Sequence, residues 1–127
     1  MSVLNLEKNT ILIVEDDDMS FLYLSQIFKL TKSKVIRAKN GNEAIQLSRD
    51  NTKIDLVLMD IQLPDFDGNT VTREIRKFND KLPIIAQTAG KTQYDKDNAM
   101  EAGCNEVLIK PFRMEELMFL LAKYLQG

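Results

Sequence analysis

Short apolar runs alternate with longer amphipathic stretches along the chain. Thr10 to Val14 (TILIV) is rich in β-branched residues, whose branched Cβ suits a pleated strand better than a helix. It ends abruptly in four acids, Glu15 to Asp18. A helix is predicted from Met19 to Leu30, with Asp17 or Asp18 as its N-cap, because a short carboxylate there accepts the first free amides. Lys34 to Ala38 (KVIRA) reads as a second, weaker strand, and Gly41 to Asp50 as a short helix with Ala44 and Leu47 inward. Asp55 to Met59 (DLVLM) is a third strand closed by Asp60. Pro64 to Gly68 is a turn segment, and beyond it Val71, Ile75 and Phe78 recur at i, i+4 and i+7 of a helix. Pro83 to Gln87 (PIIAQ) is a fourth strand. Thr92 to Ala102 is a polar helix, opened by the T-x-x-D pattern of Thr92 and Asp95 and stopped by Gly103. Glu106 to Ile109 is a fifth strand, closed by Lys110 and Pro111, and the last helix puts Leu117, Leu120, Leu121 and Tyr124 on one face.

Five strands alternating with five helices need crossover connections, so the sheet is expected to be parallel and the fold α/β. The strand runs are continuously apolar, as strands covered on both faces are. In such open sheets ligands bind beyond the carboxyl ends of the strands, where the strand order reverses. Four of the five strands end in charged or reactive groups: Glu15 and Asp16 on the first, Asp60 on the third, Thr88 on the fourth and Lys110 on the fifth. With strand order 2-1-3-4-5 those four ends are neighbours, and only the edge strand contributes nothing.

Composition narrows the chemistry. At 127 residues and 44% hydrophobic, the chain is expected to form one domain over residues 1–127, ending with the fifth helix and leaving no output domain. A net charge of -2 offers no basic footprint for direct nucleic-acid contact. The first ten residues lack a signal-peptide pattern, and no apolar run is long enough to span a bilayer. A lone cysteine, Cys104, allows no internal disulfide. The expectation is a soluble, cytoplasmic domain without membrane insertion. There is no histidine, which removes imidazole catalysis, imidazole metal ligation and a phosphohistidine of the chain's own. Any metal must therefore sit on oxygen ligands or on the one cysteine, and oxygen favours magnesium, calcium or manganese.

Three carboxylates at neighbouring strand ends repel one another, and a divalent cation relieves that repulsion. Magnesium accepts one or two carboxylates together with waters and phosphate oxygens. A carboxylate can attack phosphorus to give an acyl phosphate, with an ammonium from Lys110 and a hydroxyl from Thr88 on the phosphoryl oxygens. Taken singly, each residue has a plainer reading. A lone aspartate after a strand is usually a cap, and threonine is a common strand residue. Asp17 and Asp18 read as solvated capping residues, and Asp65 and Asp67 as loop-shaping residues beside Gly68. The convergence of Asp16, Asp60, Thr88 and Lys110 favours function over those readings.

Four segments carry a resemblance: ILIVEDD (Ile11 to Asp17), LVLMDIQLPDFDG (Leu56 to Gly68), PIIAQTA (Pro83 to Ala89) and AGCNEVLIKPF (Ala102 to Phe112). In that order and spacing, the chain resembles the receiver domains of two-component signalling. The resemblance implies a flavodoxin-like, doubly wound, five-stranded parallel sheet in order 2-1-3-4-5 with five helices. It implies Asp60 as the phosphorylated residue, Mg2+ held by Asp16 directly and Glu15 through water, and the main-chain carbonyl of Gln62 as a further ligand beside Asp60. Thr88 would be the switch hydroxyl, Lys110 the phosphate-pairing lysine, and the Lys110–Pro111 bond cis. The implied partner is a phosphohistidine on a sensor histidine kinase or a histidine phosphotransfer protein, and the wording of the motifs is most like receivers of hybrid sensor kinases. The chain would be a monomer or a phosphorylation-dependent dimer. Many such domains have an aromatic residue three positions before the lysine; here it is Val107, which cannot swing a ring in step with Thr88. The resemblance also puts Gln62 and Gly90 where such domains vary residues that tune dephosphorylation, so they are expected to affect phosphoryl lifetime. The competing readings are weaker. A phosphoaspartate hydrolase of the haloacid dehalogenase type needs an acid two residues after the nucleophile, where this chain has Gln62. A flavin or nucleotide binder needs a phosphate loop where this chain has four acids. A degenerate receiver acting as a scaffold would have lost some of the four site residues.

Overall fold

The computed structural model describes residues 4–125. Ten elements alternate: β1 (Thr10–Val14), α1 (Asp18–Thr31), β2 (Lys34–Ala38), α2 (Gly41–Asp50), β3 (Leu56–Asp60), α3 (Gly68–Arg76), β4 (Ile84–Thr88), α4 (Gln93–Ala102), β5 (Glu106–Ile109) and α5 (Met114–Tyr124). The five strands form one parallel sheet in the order β2-β1-β3-β4-β5. This is the doubly wound, flavodoxin-like arrangement, with the strand order reversing between β1 and β3. Among the described residues no helix is long and apolar enough to cross a membrane.

Alternate side chains of each strand feed two separate cores. Ile11, Ile13, Leu56, Leu58, Ile85 and Leu108 pack with Leu24, Ile27 and Phe28 of α1 and Leu117, Leu120 and Leu121 of α5. Leu12, Val14, Val57, Met59, Ile84 and Ala86 pack with Ala44 of α2, Val71 and Ile75 of α3 and Ala99 of α4. β3 and β4 are buried at every position, as continuous apolar runs demand. Each fully buried Leu or Ile side chain contributes about 1.5–3 kcal/mol, so the sheet centre is the most firmly held part of the molecule.

Helix starts follow side-chain chemistry. Asp17 caps α1 through the Ser20 amide, Asn40 caps α2, Asp67 caps α3, and Thr92 with Asp95 forms a reciprocal capping box on α4. Gly103 ends α4 at φ 116, a left-handed conformation that glycine adopts without Cβ strain. Several boundaries differ from the sequence reading, most by one residue, as at both ends of α1 and the start of α4. β3 and β4 each run one residue further, because Asp60 pairs in register with Gln87, and Thr88 with Ile109. Phe78 is not on the buried face of α3. The helix ends at Arg76, whose guanidinium is held by the carbonyls of Gly103 and Asn79 and the Asn105 side chain. The chain therefore turns early, leaving Phe78 at the surface under the Arg49 guanidinium.

Candidate functional site

The sheet's carboxyl edge gathers the polar groups. β1 delivers Glu15 and Asp16, and β3 delivers Asp60 from the neighbouring strand. One carboxylate oxygen from each of Glu15, Asp16 and Asp60 lies within 4.8 Å of the others. From β5, the Lys110 ammonium reaches Asp60 Oδ1 at 3.2 Å. The Gln62 amide donates to the same oxygen at 3.0 Å. The Asp60 side chain is only 4% exposed, so these two donors act on a largely desolvated carboxylate. The Lys110–Pro111 peptide is cis.

The acid cluster is electrostatically short of positive charge. Burial pushes the Glu15 carboxyl up to about 7, and the charge of Asp60 adds to the shift. Glu15 Oε1 is buried without a hydrogen-bond partner. Lys110 brings one positive charge to three carboxylates. An orphaned carboxylate oxygen facing two more acids is the donor set of a hard divalent cation, so these residues fit magnesium.

Thr88 ends β4 on the strand beside Asp60, and its hydroxyl accepts the Gly90 amide at 2.9 Å. Gly68 supports the site from below: a Cβ there would lie 2.4 Å from the Asp60 carbonyl oxygen and 2.7 Å from Ile61 Cα. The loop between them is pinned outward by Asp65, whose carboxylate accepts the amides of Gly41 and Asn42 at the start of α2. Beside Lys110, a groove of about 600 Å³ opens toward α1, lined by Met19, Tyr23, Pro111 and Phe112 among others. Val107, where many receivers have a ring, packs half-buried against the core on the α2–α3–α4 side.

Glu15, Asp16, Asp60 and Lys110 thus converge as read from sequence, with Thr88 ending the adjoining strand. Asp17 and Asp67 are caps, and Asp65 is a cap supplied from a distance. One expectation is corrected: the edge strand does contribute. Arg37 of β2 donates from Nε to the Glu15 carbonyl at 3.1 Å and from Nη2 to the Asp16 carbonyl at 3.3 Å. It also pairs with Asp18 at 2.9 Å and lies 4.4 Å from the centre of the Phe21 ring. A mid-strand arginine has no sequence signature for such contacts. The one available hint is its position one residue before the end of a strand beside four acids.

The fold and this edge define a phospho-acceptor module, and the chain belongs to the response regulator receiver domain family, whose profile matches residues 11–122. The transcription factor SKN7 of Saccharomyces cerevisiae is 35% identical over 91% of this chain, which spans 18% of that protein. Two solved receivers are close in structure. The receiver of sensor histidine kinase PA1611 from Pseudomonas aeruginosa, with a magnesium ion in its active-site cleft, gives a TM-score of 0.84 at 34% identity. That match covers 91% of this chain and 96% of the other. The receiver of Ssk1 from S. cerevisiae, solved with the histidine phosphotransfer protein Ypd1, gives 0.86 at 30% identity, covering 92% and 88%. This chain is therefore a response regulator receiver domain.

Proposed function

We propose that Asp60 accepts a phosphoryl group from a phosphohistidine on a sensor histidine kinase or histidine phosphotransfer protein. The observation that carries this is the convergence of Glu15, Asp16 and Asp60, with Lys110 on the buried Asp60 carboxylate. In the transfer, an Asp60 carboxylate oxygen forms a bond to phosphorus as the partner's P–N bond breaks. The electron pair leaves with the imidazole, and an acyl phosphate remains on Asp60. Lys110 holds the Asp60 carboxylate by its Oδ1 and follows the charge onto the phosphoryl oxygens. The Gln62 amide fixes the carboxylate's rotation. Thr88 offers its hydroxyl to a phosphoryl oxygen once its Gly90 contact is released. Glu15, Asp16, Asp60 and the Gln62 carbonyl would hold Mg2+. When bound, Mg2+ supplies the positive charge that lets a dianionic phosphoryl approach three carboxylates.

With no histidine among these 127 residues, the donor histidine lies outside this domain. The groove beside Lys110 leaves open space for an incoming ring. The phosphotransfer partner in the Ssk1 complex supports that choice. The same reading takes the chain as one receiver unit, acting in the cytoplasm and catalysing only its own phosphorylation and dephosphorylation. It acts by switching partner binding as a monomer or a phosphorylation-dependent dimer. The test is incubation with Mg2+ and acetyl phosphate, followed by intact-mass measurement. Wild type gains one phosphoryl group, and Asp60→Asn gains none; equal modification of the variant removes Asp60 from the role.

A further inference from the structure

We propose that Arg37 is the positioning residue of the cation-binding loop, holding Glu15 and Asp16 so that their carboxylates converge on Asp60. This rests on the assignment of the acid cluster as a magnesium site. One guanidinium grips three residues of the loop: the Glu15 carbonyl through Nε, the Asp16 carbonyl through Nη2 and the Asp18 carboxylate through Nη1. Only a planar fork of fixed donors reaches all three at once, and a lysine ammonium cannot. Phe21, on the first turns of α1, lies against the guanidinium and limits its rotation. The Arg37 side chain is 17% exposed, whereas Asp18 is 81% exposed. The ion pair with Asp18 is therefore solvent-screened and weak, and the two carbonyl bonds do the positioning. They matter here because the loop carries four consecutive acids whose mutual repulsion would otherwise splay it. Arg37 approaches through the backbone carbonyls of Glu15 and Asp16, so their side chains stay free for a cation.

Positioning and simple charge predict opposite signs. A fixed positive charge near the site repels a divalent cation, so if charge were all that Arg37 supplied, removing it would tighten Mg2+ binding. If it holds the ligands in place, removing it weakens binding, as loss of groups that orient metal ligands does. The experiment titrates Mg2+ into wild type, Arg37→Gln and Arg37→Lys by calorimetry, with backbone amide shifts of residues 15–18 followed in parallel. Both variants are expected to bind on the order of tenfold more weakly. Asp18→Asn, which removes only the screened pair, is expected to change the dissociation constant by less than about twofold. Circular dichroism without Mg2+ checks that each variant is folded. Arg37→Lys keeps charge and stem, and decides the matter if Arg37→Gln does not fold. Binding by either folded variant as tight as wild type overturns the proposal. Wild type that binds no Mg2+, or Asp16→Asn that binds it unchanged, overturns the underlying site assignment instead.

Discussion

Glu106 shows how much one carboxylate can be asked to hold. It opens β5 and accepts from Lys123 at 2.7 Å and Tyr124 at 2.6 Å, closing the end of α5 against the sheet edge. These hydrogen bonds hold its carboxyl below the usual range. A folded-state pKa below the unfolded one gives stability that is present at neutral pH and lost as pH falls below about 4.5. Glu106→Gln should therefore flatten the fall in unfolding temperature between about pH 5 and pH 3; an unchanged slope would show that Glu106 is not linked to folding. Residues at strand ends were legible in the sequence because the fold leaves them only one place to go. Asp60, Asp16 and Lys110 each follow an apolar run, and a parallel sheet brings such ends together. Arg37 was not legible, since its role lies in contacts made across to another strand's loop, which no periodicity encodes.

At the scale of elements, the β3–α3 connection is tied down at three places. Its start is fixed by the ladder at Asp60, its end by the Gly68 amide on the Ile61 carbonyl at 2.7 Å, and its outer turn by Asp65 on α2. Partial burial would raise the Asp65 carboxyl, yet the amides of Gly41, Asn42 and Phe66 hold it lower than usual. Backbone packs so closely on Gly68 that a methyl group there must displace the Asp60 carbonyl. Gly68→Ala is expected to cost about 1–3 kcal/mol in urea unfolding and to weaken Mg2+ binding; a fully stable variant would mean the loop can shift freely. Element types were readable from apolar runs and caps. The exceptions came from tertiary contacts: sheet register carried β3 and β4 one residue onward, and the Arg76 anchor to the loop after α4 cut α3 short before Phe78.

For the whole molecule, the absence of a ring at Val107 shifts attention to the β4–α4 connection. The Thr88 hydroxyl now accepts the Gly90 amide, and a Cβ at Gly90 would lie 2.5 Å from the Asp95 carboxylate of the α4 capping box. Drawing Thr88 toward a phosphoryl group would free that amide and disturb the start of α4. This population shift should alter amide hydrogen exchange from Gly90 to Ala102 on adding beryllofluoride and Mg2+; identical rates with and without it would count against the coupling. The far end of α4 holds its own reporter. Cys104 is 6% exposed with its thiol pushed up to about 11 by burial, so it stays protonated and hidden at neutral pH. A maleimide can then reach it only when that corner transiently opens, which makes the native chain its own stopwatch. Alkylation half-lives would time the breathing of that corner in resting and activated protein without any introduced label.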